Sequence, residues 1–184
     1  MKNNTINNIE DLFHISIDYA KDNNINDIII FAKGIENVLR LNEMLKDTEI
    51  NLYVTTFPHH QLLYIENEEG EIDEIYPEIL EDYNQKLLKE NNITLISSTL
   101  PLDPIITPGI ETNPYHIINQ TLNLFGHGTD IVIQSALMAS DNGVIKPGSR
   151  VLSLISNLAA DLETANSRFL FHPKYGIKIN HIIK

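Results

Sequence analysis

Polar side chains able to hold a small ligand recur at four points of the sequence, each directly after an apolar run of strand length. The four clusters are Lys33-Gly34, Thr55-Thr56 with His59-His60 nearby, Ser97-Ser98-Thr99, and Ser156-Asn157. Hydroxyl, amide and ammonium groups donate hydrogen bonds to anionic and polar ligands. Parallel strands of an open α/β sheet end at one common edge, where the following helices also present free N–H groups. The sequence therefore predicts a site for a small polar or phosphorylated ligand at that edge.

Helix capping is the alternative interpretation of the same residues. Ser, Thr and Asn dominate helix N-caps, so each cluster taken singly is explained better as the cap of the helix that follows. Four such clusters at one predicted edge shift the balance toward a binding site.

Two adjacent histidines, His59 and His60, add groups that can transfer a proton or bind a metal. Neighbouring residues of an extended segment point in opposite directions, so this pair chelates a single ion poorly. No third ligand stands at a spacing typical of a metal site, and we expect no metal. A contact with the ligand and a plain surface position remain as interpretations, and the surface position is the simpler one.

The elements that position these clusters follow from the apolar periodicity. Continuous apolar runs predict strands at residues 27–32, 50–56, 94–97 and 151–155, with late strands at 168–171 and 177–183. Helical spacing predicts helices near residues 6–20, 38–45, 75–90, 114–125 and 130–142. Strands that alternate with helices indicate α/β architecture with a largely parallel sheet covered on both faces. The 184 residues suit a single domain that begins with a helix.

The composition limits the classes of partner and location. Lys and Arg total 13 against 25 Asp and Glu, which gives a net charge of −12. Such a surface repels nucleic-acid phosphates and anionic lipids, so we expect neither nucleic acid nor a membrane as partner. The absence of cysteine excludes disulfides and cysteine nucleophiles. Because the start does not read as a signal peptide and no apolar run approaches the roughly 20 residues that span a bilayer, we expect a cytoplasmic protein.

Several segments that contain glycine occur between residues 124 and 148. They are Leu124-Phe125-Gly126-His127-Gly128, the segment ALMASDNG at 136–143, and Lys146-Pro147-Gly148; Thr164-Ala165 and the closing INHIIK follow. We expect Gly126 to end a helix in the left-handed conformation, and Lys146-Pro147-Gly148 to turn the chain into a strand with Gly148 at positive φ. Taken together, these motifs resemble the α/β C-terminal domain of pyruvate kinase. They resemble more closely a family of small stand-alone proteins built from that domain without the catalytic barrel.

The resemblance covers the chain from Asp27 onward and carries expectations of its own. It implies a three-layer α/β/α fold with a mostly parallel five-stranded core sheet that contains one antiparallel strand. It implies a phosphate-recognising edge, which holds a phosphorylated effector in pyruvate kinase and a flavin mononucleotide (FMN)-type ligand in the stand-alone family. It further implies a homodimer, and no pyruvate kinase activity because the barrel is absent.

Two loops of this sequence depart from the family pattern. Only Gly34 matches the glycine-containing first loop, and the late loop at residues 156–161 contains no glycine. Glycines let backbone N–H groups close on a phosphate, so their loss weakens the expected phosphate site. Asp161 and Glu163 would add negative charge there, which Lys33 and Arg168 could offset, whereas Thr55 and Thr164 match the family.

Three hypotheses of function follow. The leading one is a small-molecule binding module for a phosphorylated ligand, such as FMN, a nucleotide or a sugar phosphate. Its predicted ligand-binding residues are Lys33, Gly34, Thr55, Thr56, His59, Ser97, Ser156, Asn157 and Thr164. The second is an enzyme that uses the same predicted site at the strand ends, with His59 or His60 as acid/base. The third is a structural or interaction protein whose ancestral site has decayed, which the missing glycines favour.

Overall fold

The computed structural model describes residues 6, 8–67, 69–103 and 113–184 of the chain. The helices are α1 (Ile9–Asp22), α2 (Glu36–Leu45), α3 (Asp82–Glu90), α4 (Pro114–Asn123) and α5 (Thr129–Asp141). The strands are β1 (Asp27–Phe31), β2 (Asn51–Thr56), β3 (Leu63–Glu66), β4 (Ile72–Ile75), β5 (Thr94–Ser97), β6 (Arg150–Leu154), β7 (Ala159–Glu163) and β8 (Lys178–Ile183). Two short 3₁₀ turns occur at Glu78–Leu80 and Ser167–Phe169.

Within the described residues, the main sheet has six strands in the order β5-β2-β1-β6-β7-β8. The first four are parallel, with Ile30 opposite both Val54 of β2 and Leu154 of β6. β7 runs antiparallel to β6, and β8 antiparallel to β7. The mostly parallel α/β architecture is thus confirmed, while the expected five strands are corrected to six. The direction of strand addition reverses between β1 and β6, because β2 and β5 add on one side and the later strands on the other.

Helices cover both faces of this sheet, and β1 contributes to both cores. Ile28 and Ile30 point into the cluster formed with α1, α2 and α3, which contains Leu12, Phe13, Val38 and Leu88. Ile29 points to the other face and packs with α5. This alternation follows from the two-residue period of a strand, and burial on both faces explains the continuous apolar run in the sequence.

Helix α5 is the most deeply buried helix of the described chain. Residues 132–140 are all buried, polar ones included. Gly128 is its N-cap and Asn142 its C-cap, and the following Gly143 has a φ of +70°, the left-handed value typical of a residue after a helix. The predicted helix at residues 130–142 is therefore confirmed, as is the positive φ of Gly148 (+88°) in the turn before β6.

Several sequence-based boundaries are wrong. Residues 168–171 belong to a 3₁₀ turn and the turn that follows it rather than to a strand, and the predicted helix at 75–90 begins only at Asp82. A two-stranded hairpin, β3–β4, precedes it. Strand β7, in contrast, occupies part of the loop that the family resemblance implies at residues 156–161. Among the described residues, no helix is both long and apolar enough to cross a membrane.

Candidate functional site

A cavity of about 440 Å³ opens at the carboxyl ends of β1 and β6. It lies where the strand order reverses, which is the usual position of ligand sites in open α/β sheets. Its volume falls within the roughly 300–1,000 Å³ of small-molecule sites. We call this cavity the crevice; its lining is Ile9, Ile30, Phe31, Ala32, Lys33, Gly34, Glu36, Asn37, Phe57, Glu78, Ile131, Ile155 and Ser156.

One wall of the crevice is apolar and aromatic. Phe31 ends β1 and Phe57 directly follows β2, and their rings meet edge to face with centroids 5.0 Å apart. Ile131 from the first turn of α5 and Ile155 after β6 complete this wall. An edge-to-face pair leaves a ring face free, so this wall suits a flat apolar group.

The opposite wall is the start of helix α2. Glu36 and Asn37 line the crevice, and the N-cap residue of α2 is Ile35, whose apolar side chain makes no capping hydrogen bond to the helix N–H groups. The first N–H groups of a helix lack partners within the helix, and the helix dipole places partial positive charge there. The exposed Lys33 stands just before this end, and its carbonyl accepts a hydrogen bond of 2.9 Å from the Ile79 N–H. This bond fixes the loop after β1 against the 3₁₀ turn at Glu78–Leu80.

The charges around the crevice are mixed. Glu36 and Glu78 face the same cavity as Lys33. A Cβ added at Gly34 would stand 3.4 Å from Glu78 Oε2, so this carboxylate borders the loop closely. The carboxylates of Glu36 and Glu78 outnumber the Lys33 ammonium, so this lining disfavours the binding of a highly charged anion such as a triphosphate. The cationic groups that this lining offers to an anion are the Lys33 ammonium and the partial positive charge at the α2 N-terminus.

Three of the predicted ligand-binding residues line the crevice: Lys33, Gly34 and Ser156. Asn157 is their neighbour, but its amide donates to the His127 carbonyl at 3.3 Å and so joins the β6–β7 turn to the loop before α5. Ser97 is outside the described lining, but its hydroxyl donates to the carbonyl of the lining residue Phe57 at 2.8 Å and so helps to hold that residue in place.

The two threonines of β2 are fully buried. The Thr55 hydroxyl donates to Ser135 Oγ of α5 at 2.9 Å, so it ties the sheet to the helix. The Thr56 hydroxyl has no hydrogen-bond partner within the described part of the chain. The described lining of the crevice contains neither residue.

The histidines lie away from the crevice, whose described lining includes neither His59 nor His60. His59 borders a different cavity of about 510 Å³, together with Lys89 of α3 and Ser97 of β5. His60 is exposed in a left-handed turn with φ +62°. The enzyme hypothesis placed an imidazole in the crevice, and the structure does not bring one there.

Thr164 lies at the opposite edge of the sheet, away from Lys33, Gly34 and Ser156. It follows Glu163, which pairs with Arg150 at the start of β6, and its hydroxyl donates to the Lys146 carbonyl at 3.1 Å. Asp161 is also remote from the crevice, because it lies inside β7 and binds Arg150. The late loop expected at residues 156–161 is in fact a short turn that leads straight into an antiparallel strand.

The Gly126-His127-Gly128 motif forms the loop before α5 and packs against Ile155, a residue of the crevice wall. Gly128, with φ +92°, is the left-handed residue and the N-cap of α5, whereas Gly126 has φ +146°; the predicted helix stop at Gly126 is corrected accordingly. A Cβ at Gly128 would overlap Ile155 Cδ1. The motif therefore lets the loop before α5 pack directly on the crevice wall.

Sequence reasoning missed Phe31, Phe57 and Glu78. The two phenylalanines stand beside the polar clusters at strand ends, and that position could have indicated them. Glu78 has no comparable signal, because a 3₁₀ turn brings it back to the first loop from more than forty residues away. In the described part of the chain, no group of three or more His, Asp or Glu side chains is arranged to hold a metal ion.

Comparisons with known proteins add no assignment to this site. No protein-family model matches the chain, and no curated protein has a significantly similar sequence.

Proposed function

We propose that this chain is a small-molecule binding module that holds a flat, largely apolar ligand carrying a single phosphate or similar anionic group. The ligand lies in the crevice, with its ring on the Phe31, Phe57 and Ile155 wall. Its anionic group meets the N-terminus of α2 and the Lys33 ammonium. The observation that carries the proposal is this pairing of an aromatic wall with an uncapped helix terminus in one 440 Å³ cavity at the strand-order reversal.

The charge of the crevice narrows the ligand class. Glu36 and Glu78 oppose polyphosphates but can accept hydrogen bonds from hydroxyl or amino groups. A monophosphate with a hydroxylated linker and a flat ring offers a group for each part of the lining. The ring would contact the aromatic wall, the hydroxyls would donate to Glu36 and Glu78, and the phosphate would bind at Lys33 and the α2 terminus. FMN and nucleoside monophosphates have this chemistry, whereas nucleoside triphosphates and small sugar phosphates lack either the charge balance or the ring.

The test is a ligand series on natively purified protein. We expect FMN or a nucleoside monophosphate to bind and raise the melting temperature, while riboflavin, which has the ring without the phosphate, binds more weakly. A ligand at one hundred times its Kd stabilises by about 2.7 kcal/mol, equivalent to roughly 5–10 °C for a chain of this size. An absorption spectrum and a mass spectrum of the untreated protein would reveal a retained ligand.

Lys33→Ala provides the site-specific variant, and Lys146→Ala, in an exposed turn at the opposite edge, is its matched control. We expect Lys33→Ala to weaken phosphate-ligand binding about tenfold, since a charged hydrogen bond contributes about 1.5 kcal/mol at the lower end of its range. Lys146→Ala should bind as the parent protein does. No binding by any member of the series, in well-folded protein, contradicts the proposal and leaves the decayed-site hypothesis. The cytoplasmic location stays a prediction.

A further inference from the structure

Opposite charges are segregated along this chain. Residues 164–184 contain four Lys and Arg and no Asp or Glu, while residues 1–163 contain nine Lys and Arg against 25 Asp and Glu, a net charge of −16. Within that acidic part, residues 47–85 contain eleven Asp and Glu and no Lys or Arg. The overall charge of −12 is therefore the sum of a basic region, residues 164–184, and an acidic remainder whose most acidic part is residues 47–85.

The basic region carries exposed aromatic rings, and we call its residues Arg168, Phe169, Phe171, Lys174 and Tyr175 the basic aromatic surface. Phe171 is 75% and Tyr175 59% exposed. His172 stacks on the Tyr175 ring at 4.9 Å, and its Nδ1 accepts the N–H groups of Lys174 and Tyr175 at 3.1 Å each. These contacts hold the rings in place without burying them.

Two cavities flank this surface. One, of about 520 Å³, includes Tyr115 and Leu102 beside Arg168 and Phe169. The other, of about 430 Å³, is bordered by Leu122, Pro173 and Ile179 beside Phe171. A contiguous apolar surface with a charged rim is typical of a protein interaction site. Its complement must bring apolar side chains for the cavities and carboxylates for Arg168 and Lys174.

The acidic region contains such a complement in the β3–β4 hairpin, whose two strands pair with each other in a sheet separate from the main one. The exposed Tyr64 is opposite Glu74 across the hairpin, and the exposed Ile72 is two residues from Glu74. Their exposed fractions are 66% for Tyr64 and 61% for Ile72. Glu71 and Tyr76 extend the same pattern of carboxylates and exposed apolar groups at either end of β4.

We propose that the basic aromatic surface binds the β3–β4 hairpin of a second copy of this chain. The hairpin would place Tyr64 and Ile72 against the exposed rings and cavities, and Glu71 and Glu74 against Arg168 and Lys174. At physiological salt, charges more than about 8 Å apart are largely screened, so the net repulsion between two acidic copies weakens while the opposite charges in contact remain effective. Because the two surfaces differ, two copies can make the contact twice in a twofold-symmetric dimer, or make it once per pair in a head-to-tail arrangement that extends into larger assemblies.

The test uses two charge-reversed full-length variants and sedimentation or light scattering across a concentration series. The first variant is Arg168→Glu with Lys174→Glu, and the second is Glu71→Lys with Glu74→Lys. We expect the parent chain to exceed its monomer mass of 20.9 kDa, and each variant alone to associate at least tenfold more weakly, because its two surfaces then carry like charges. An equimolar mixture of the two variants should associate again, since the acidic hairpin of the first meets the basic surface of the second.

One double variant serves as the control, and three outcomes would contradict the proposal. Lys86→Glu with Lys89→Glu, on exposed positions of α3, should leave association unchanged, and circular dichroism should show that every variant folds. A parent chain that stays monomeric, or association that persists in either variant alone, overturns the proposal. So does nucleic acid retained on a monomeric parent chain and lost in the first variant, because the surface would then serve a polyanion.

Discussion

The guanidinium of Arg150 meets the carboxylate of Asp161 in two nearly parallel hydrogen bonds, 2.9 Å from Nε to Oδ1 and 2.6 Å from Nη2 to Oδ2. Asp161 is fully buried, and the Tyr19 hydroxyl and the Asn180 amide each donate to it at 3.0 Å. One carboxylate thus joins β6, β7, β8 and helix α1. Bidentate arginine pairs with additional donors are the geometry in which a buried ion pair is best compensated.

Removing this carboxylate should destabilise the fold strongly. Asp161→Asn weakens the attraction to Arg150 and places amide hydrogens against other donors, so we expect the free energy of unfolding to fall by about 3 kcal/mol. Glu163→Gln is a control on the same strand: Glu163 binds Lys178 at 2.5 Å at the partly exposed end of β7, and its loss should cost less than about 1 kcal/mol. Urea unfolding of both variants measures the difference, and similar losses would contradict a special role for Asp161.

The same pair predicts the pH dependence of stability. Burial opposes the charge of Asp161, but the hydrogen bonds from Arg150, Asn180 and Tyr19 outweigh it and lower the pKa of this carboxyl below its usual value. A lowered folded-state pKa contributes stability that is fully present above the unfolded value of about 3.9 and is lost as pH falls through the folded value. The advantage of the parent chain over Asp161→Asn should therefore be constant near neutrality and shrink below about pH 4, as measured by urea unfolding at several pH values. An advantage unchanged at pH 2 would refute this linkage.

Gly128 should be intolerant of any side chain for two separable reasons. Its φ of +92° strains an L-residue, and an added Cβ overlaps Ile155 Cδ1. We expect Gly128→Ala to cost roughly 2–4 kcal/mol, of which about 1 kcal/mol is backbone strain and the rest overpacking. Gly143→Ala separates the two, because Gly143 has φ +70° with nothing within 4 Å of its added Cβ. Thermal unfolding of both variants tests this, and equal losses would mean that packing on Ile155 is unimportant.

Filling the crevice should abolish ligand binding without loss of the fold. Ser156 is exposed at the crevice mouth, so Ser156→Trp adds bulk into the cavity rather than into the core. We expect at least a tenfold loss of affinity for a ligand found in the proposed series, with a melting temperature within a few degrees of the parent. Lys146→Trp, at the opposite edge, should bind normally. Calorimetry makes the comparison, and undiminished binding by Ser156→Trp would place the ligand elsewhere.

The local sequence was sufficient for the elements that have a marked apolar pattern. Strands β1, β2, β5 and β6 and helix α5 are predicted because their apolar residues form continuous or strongly periodic runs. The polar clusters at Lys33-Gly34 and Ser156 also fall at the predicted edge, since the carboxyl ends of parallel strands must lie together once the sheet is parallel. Turn chemistry was equally local, as the positive φ of Gly148 demonstrates.

Contacts between residues far apart in the chain determined the structure of the segments for which the expectation was wrong. The family resemblance implies a loop at residues 156–161, yet residues 159–163 form the buried strand β7, in which Arg150 on the neighbouring strand compensates the charge of Asp161. The segment at 168–171 has the composition of a strand, but Phe169 and Phe171 remain exposed in a turn region and the segment does not pair in the sheet.

Strand propensity and capping chemistry act over a few residues, so the sequence by itself determined where most elements form and which residues follow them. Strand direction, the partner of a buried charge and the return of Glu78 to the first loop depend on residues far apart in the chain. Only the tertiary structure therefore decided that Thr164 lies at the far edge, that Thr55 is buried under α5, and that aromatic rings form the wall of the crevice.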